Sequence, residues 1–128
     1  MINPEQLAAC GTESGHQKAL MCWRALHVQE YPELALLHAI PNGGARDKVT
    51  GARMKAEGVK PGVSDLMLPV ARGLYHGLYL EMKKPGVVKM SDAQREWGHA
   101  VVQQGYAFAC VNSWEKARDF LIRYLMLD

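Results

Sequence analysis

Gly77-Leu78-Tyr79-Leu80-Glu81-Met82-Lys83-Lys84 is a short apolar run that carries charge where a buried strand should carry none. Alternate residues of a strand share a face, so Glu81 and Lys83 project together, away from Leu80 and Met82. Sixteen residues before Glu81 stands Asp65, within Pro61-Gly62-Val63-Ser64-Asp65-Leu66-Met67-Leu68. This run also reads as a strand, with Asp65 opposing Leu66 and Leu68. Two carboxylates and an ammonium at a sheet edge suit a divalent cation, a phosphate and an activated water. They equally suit a surface hairpin with a salt bridge from Glu81 to Lys83 or Asp65, a pairing worth about 0–1 kcal/mol. The two strands alone leave both readings open.

The flanking sequence places these strands in an α/β frame. Asn3-Pro4-Glu5-Gln6 has the form of a capped helix start, with Gly11 as its stop. A longer helix is expected from Thr12 or Ser14 to Glu30, with Ala19, Leu20, Cys22, Trp23 and Leu26 as its apolar stripe and Pro32 beyond its end. Leu34 to Ile40 reads as a strand, and Pro41-Asn42-Gly43-Gly44 as a turn. Asp47 to Glu57 reads as a basic helix that stops at Gly58. Ser64–Val70 and Leu74–Lys83 then form an antiparallel pair, provided the chain turns tightly at Arg72-Gly73. Ser91-Asp92-Ala93-Gln94 opens a helix to about Gln104, followed by a buried strand from Tyr106 to Val111. Asn112 or Ser113 begins a last helix, with Ala117, Phe120, Leu121, Tyr124 and Leu125 facing inward. The last strand is placed to return parallel to the Glu81 strand by a right-handed crossover. A mixed central β-sheet flanked by helices follows, in a single domain.

Composition narrows the class without naming a function. Apolar residues make up 48% and charged residues 22%, which is the balance of a soluble globular protein. The cysteines Cys10, Cys22 and Cys110 are odd in number and include no Cys-x-x-Cys pair, so neither a disulfide framework nor a zinc ribbon is indicated. The five histidines show no zinc-ligand spacing. The start lacks an apolar signal segment and no run approaches membrane-spanning length, so a cytoplasmic protein without a membrane partner is expected. Positive charge concentrates on either side of the carboxylates. Arg46, Lys48, Arg53, Lys55 and Lys60 outnumber Asp47 and Glu57, and Lys83, Lys84, Lys89 and Arg95 outnumber Asp92 and Glu96. The stretch before Pro41 is net acidic. This distribution suits a polyanionic partner.

Phosphodiester hydrolysis needs a cation at the phosphate, a nucleophilic water and a stabilised leaving oxygen. Asp65 and Glu81 offer two hard oxygen donors, and the backbone carbonyl of Met82, between the two charged side chains, offers a third. Lys83 supplies a fixed charge able to orient the water or stabilise the phosphate.

Val63-Ser64-Asp65 followed by Glu81-Met82-Lys83 resembles the PD-(D/E)XK nuclease superfamily, with Ser64 where that family usually has proline. Several ordered motifs resemble the VRR-NUC family, the virus-type replication-repair nucleases. They are Ile40-Pro41-Asn42-Gly43-Gly44 with Arg46, Lys60-Pro61-Gly62-Val63-Ser64-Asp65-Leu66, Leu80-Glu81-Met82-Lys83, Ser91 with Gln94, and Gly105-Tyr106. The resemblance runs from about Glu13 to Tyr124. It implies a restriction-endonuclease-like αβββαβ core and a deoxyribonuclease dependent on Mg²⁺ or Mn²⁺. It also implies that Glu13, on the first long helix, joins Asp65, Glu81 and Met82 at the metal, and that Gln94 joins Lys83 in catalysis. Glu13 also suits a helix first turn by its charge alone, and Ser91-x-x-Gln94 is also a capping box. Asn42, Gly43 and Gly44 would bring backbone close to a phosphate, while Arg46, Lys48, Arg53, Lys55 and Lys84 would contact the DNA backbone. The same resemblance implies branched replication or repair intermediates as substrate, including four-way junctions cut by a homodimer, and a phage or bacterial setting. The competing expectations are a non-catalytic nucleic-acid-binding module on this fold, a nuclease for flaps, single strands or RNA, and an interaction protein with a surface salt-bridge cluster.

Overall fold

The computed structural model describes residues 2–41 and 48–128, with the Lys48 side chain left aside. Among them run α1 (Pro4–Ala8), α2 (Glu13–His27), a 3₁₀ helix (Pro32–Leu36), β1 (His38–Ala39) and α3 (Lys48–Ala56). These are followed by β2 (Leu66–Leu68), β3 (Leu78–Met82), α4 (Asp92–Gln103), β4 (Ala107–Val111) and α5 (Trp114–Leu125). The strands form one four-stranded sheet in the order β1-β2-β3-β4. β1, β2 and β3 are antiparallel neighbours, and β4 returns parallel to β3 after α4.

Strand alternation divides the sheet into two unlike faces. Leu66 and Leu68 of β2, Leu78, Leu80 and Met82 of β3, and Ala107 and Ala109 of β4 are buried on one face. They share a hydrophobic cluster with Ala19, Leu20 and Trp23 of α2 and Ala117, Leu121 and Tyr124 of α5. The opposite face carries Tyr79, whose ring meets Trp97 of α4 edge-on at 5.4 Å. Helices therefore cover both faces of a mixed sheet, as the sequence pattern predicts. Among the described residues no helix is long and apolar enough to cross a membrane.

The turn between β2 and β3 is tight, with Arg72 and Tyr75 exchanging backbone hydrogen bonds across Gly73 and Leu74. Thr12, Ser91 and Ser113 cap α2, α4 and α5 through their side chains, each accepting a backbone N–H of the first turn.

Three expectations need correction. Leu34–Ile40 is not one strand: a 3₁₀ helix occupies Pro32–Leu36, and only His38–Ala39 pairs with β2. Leu34 and Leu37 are the buried residues here, and their three-residue spacing matches a 3₁₀ turn rather than strand alternation. Helix α2 ends at His27 instead of Glu30, as Glu30 and Tyr31 both bond back to the His27 carbonyl. Its stripe is also narrower than expected, because Leu26 is exposed. The expected turn and helix start at residues 41–47 lie, apart from Pro41, outside the described residues.

Candidate metal centre

Glu81 lies on β3, on the face opposite the main core, and is only 2% exposed. Asp65 immediately precedes β2 and is half-buried. Its Oδ2 accepts the backbone N–H of Met82 at 2.7 Å. This bond holds the Asp65 carboxylate across the strand pair and places it beside Glu81. Lys83 N–H donates to the Val111 carbonyl, so by strand alternation the Met82 backbone faces the Asp65 side. That is the side on which its carbonyl was expected to serve.

Glu13 arrives from the other layer. Thr12 caps α2, which makes Glu13 the first residue of that helix, at the sheet end where β3 delivers Glu81. Glu13, Asp65 and Glu81 each offer a carboxylate oxygen, and these oxygens lie within 4.8 Å of one another. They form a cluster that could hold a metal ion among the described residues. The family resemblance implies these three on one ion, and the fold brings their oxygens together.

Gln94 binds two parts of this site to one helix. Its Oε1 accepts from the Ser91 backbone N–H at 2.8 Å and from Lys83 Nζ at 2.9 Å. Both partners are donors, so the amide oxygen must face them and the NH₂ must face the other way. There Nε2 donates to Glu81 Oε2 at 3.2 Å. The capping box is complete as well, since Gln94 N–H donates to Ser91 Oγ at 3.2 Å. The structural and site roles of Gln94 thus coexist in one conformation. Gly62 supports this arrangement with φ +86°, and a Cβ there would lie 2.4 Å from the Ala93 carbonyl oxygen. Only glycine lets the segment leading to Asp65 press on the first turn of α4 this closely.

The electrostatics of the cluster call for a cation. Burial pushes the Glu81 carboxyl up to about 9, and the neighbouring Asp65 carboxylate pushes it the same way. Burial, then Asp65, also raises Glu13, while Lys83 and Lys84 pull it back down. Cys110, the β4 residue in register with Glu81, has its thiol pushed up by burial and next by the Glu81 charge. Among the described residues, Glu81 Oε1 is buried without a hydrogen-bond partner. A buried carboxylate oxygen left without a donor costs about 1–3 kcal/mol or more. An oxygen-rich cluster with one such orphan fits a hard divalent cation. Glu13, Asp65 and Glu81 would hold it through their side chains, and Met82 through its carbonyl.

The proposed DNA-contact residues are less gathered. Asn42, Gly43, Gly44 and Arg46 lie outside the described residues, as does the Lys48 side chain. Arg53 and Lys55 are exposed on α3, and Arg53 pairs with Glu57 at 3.3 Å. Lys84 is exposed and near enough to Glu13 to lower its pKa. His38 is exposed, with its Nδ1 3.0 Å from the Leu36 carbonyl. Trp23 and Trp114 are core residues, and Trp97 packs on Tyr79. One feature escaped the sequence reading. A polar cleft lined by Glu13, Ser14, Gln17 and Lys18 opens on α2. The signal available in the sequence is the polar face of that helix beyond Glu13.

The comparisons with known proteins agree on one family. The family model for the VRR-NUC domain matches residues 4–115. A solved structure described as a VRR_NUC domain protein is 29% identical, with a TM-score of 0.77, over 91% of this chain and 90% of that one. No curated protein matches the chain.

Proposed function

The chain belongs to the VRR-NUC domain family, a family of nuclease type, and we propose that it is a divalent-metal-dependent DNA endonuclease. The observation that carries this reading is the buried, unpartnered Oε1 of Glu81, set among the Asp65 and Glu13 oxygens. A bound Mg²⁺ or Mn²⁺ would supply charge neutralisation at the scissile phosphate and activation of the attacking water.

The chain's own residues have separate tasks in this scheme. Asp65 is pinned by the Met82 N–H, so one of its oxygens is fixed and the carboxylate cannot swing away. Glu81 is oriented through Oε2 by Gln94, which leaves Oε1 as its ligand atom. Lys83, tethered to Gln94 Oε1, carries a positive charge beside the cluster, where it orients the attacking water or stabilises charge on the phosphate. Arg53, Lys55 and Lys84, with Arg46 and Lys48, would hold the DNA backbone on either side.

The substrates we propose are branched replication or repair intermediates, four-way junctions among them. Symmetric cutting of a four-way junction needs two sites, so a homodimer is part of the proposal. The support for these finer points is family resemblance alone. Cleavage of a panel of labelled DNA structures with Mn²⁺ or Mg²⁺ tests them, with wild type beside Lys83→Ala. Asp65→Asn and Glu81→Gln should abolish cleavage while DNA binding in Ca²⁺ survives. Purified wild type that cleaves no flap, junction or single strand would instead favour a non-catalytic binding module.

A further inference from the structure

We propose that His16 is a positioning residue of the candidate metal centre: its ring pins the first turn of α2 to the start of α5, and so sets where Glu13 meets Asp65 and Glu81. The inference rests on the metal-centre reading above and extends it to a residue that reading does not use. His16 is only 6% exposed and lies in the first turn of α2. Its Nδ1 accepts the backbone N–H of Trp114 at 3.0 Å, across 98 residues of sequence. A backbone N–H can only donate, so Nδ1 carries no proton and serves as the acceptor.

The bond is a helix cap supplied by another helix. Trp114 is the first residue of α5, where backbone N–H groups have no partner inside the helix. Ser113 Oγ accepts from Lys116 N–H at 3.1 Å, so the Trp114 N–H is left to the ring of His16. Both residues are buried, and removing the ring leaves a buried donor without an acceptor.

Each end of this bond leads to the acid cluster. On one side, His16 N–H donates to the Thr12 carbonyl at 3.0 Å, closing the turn that begins with Glu13. Glu13 is three residues before His16 and on the same side of the helix. On the other side, Trp114 follows β4, whose last residue Val111 is in register with Met82 and accepts the Lys83 N–H at 2.7 Å. The bond thus ties the helix that carries Glu13 to the sheet end that carries Glu81, Met82 and Lys83. Ala19, Leu20 and Trp23 hold α2 in the core, but apolar burial is non-directional and does not fix a helix along its axis. A slip of one residue is about 1.5 Å, a large part of the 4.8 Å within which the three carboxylate oxygens gather. A directional bond at the Glu13 end of α2 removes that freedom.

The test is Mn²⁺ affinity by calorimetric titration of the full chain, beside Tm without metal. The variants are His16→Leu, His16→Asn, Glu13→Gln, the double variant of Glu13→Gln with His16→Leu, and Tyr124→Phe. Tyr124 donates to the Val70 carbonyl at 2.6 Å near the other end of α5 and serves as the control for lost stability. His16→Leu should lower Tm and weaken Mn²⁺ binding about tenfold. His16→Asn, whose Oδ1 takes the place of Nδ1, should bring affinity back to within about twofold of wild type. Tyr124→Phe should lower Tm and keep wild-type affinity. The double variant should bind no more weakly than Glu13→Gln alone, because His16 acts through Glu13. If His16→Leu does not fold, the less branched His16→Met is read in its place. Wild-type affinity beside a lowered Tm in His16→Leu would overturn the proposal, as would additive losses in the double variant. Wild type that binds Mn²⁺ while Glu13→Gln loses no affinity sinks this inference alone. Wild type that binds no Mn²⁺ sinks the metal-centre reading with it.

Discussion

Gln94 Nε2 donates to Glu81 Oε2 at 3.2 Å, and so a helix-capping residue decides which oxygen of a buried carboxylate stays free. The same side chain holds Lys83 Nζ at 2.9 Å. A carboxylate and an ammonium on one strand are thus oriented by a single amide on the next helix. Cap and site can be separated by mutation. Ser91→Ala should cost about 1 kcal/mol of stability through the lost cap, with cleavage by the folded protein near wild type. Gln94→Ala should cost a similar amount and also lower kcat by about 10–100-fold. Thermal melts beside single-turnover cleavage check this, and equal kcat for the two variants would refute it.

The raised Glu81 carboxyl predicts how stability depends on pH without metal. Its ordinary value is 4.5, and the fold pushes it up to about 9. Between these values the folded state holds a proton that the unfolded state has lost, so stability falls as pH rises. The contribution is complete below about pH 4.5 and is lost as pH passes about 9. In chelator, the Tm of Glu81→Gln should decline less over this window than that of wild type. Parallel Tm–pH curves would count against the buried acid as the cause.

Metal binding should then displace that proton. Calorimetric titration with Mn²⁺ at pH 7, in buffers of different ionisation enthalpy, should show release of about one proton. Apparent affinity should rise with pH up to about 9. Chelation should lower Tm at pH 8, because the cation no longer offsets the packed carboxylates. Proton-neutral binding would contradict this account.

Ser64 is fully buried, and its hydroxyl has no partner among the described residues. Removing an unsatisfied hydroxyl forfeits no bond, so Ser64→Ala should be neutral or stabilising by up to about 1 kcal/mol. Urea unfolding measures it directly, and a loss of more than about 1 kcal/mol would mean that the hydroxyl has a partner.

Gly62→Ala should be severe. The new Cβ would meet the Ala93 backbone 2.4 Å away, from a left-handed conformation of φ +86°. A cost of about 2–4 kcal/mol is expected. The Asp65 segment and α4 must separate to relieve the clash, so residual folded protein should also lose cleavage. A Tm close to wild type would show that the contact is not tight.

Asp65, Glu81 and Lys83 were legible because charge interrupts apolar runs of strand length, and the Ser91-x-x-Gln94 cap because its signal is local. The 3₁₀ helix was misread because Leu34 and Leu37 sit in a short run where strand and 3₁₀ turn are hard to tell apart. The cleft around Lys18 went unread because an exposed lysine on a helix has no signature until its neighbours in space are known.

The amino-acid sequence by itself determined the order of elements, the capped helix starts, and which side chains could carry metal and phosphate chemistry. These depend on residue type, on periodicity and on contacts within a turn, all of which are properties of neighbouring residues. Tertiary structure alone decided that Glu13 reaches Asp65 and Glu81, that one Glu81 oxygen is bonded and the other orphaned, and that its carboxyl is held up to about 9. Convergence and desolvation depend on which distant segments exclude water together, so they exist only once α2, the sheet and α4 have packed around the same point.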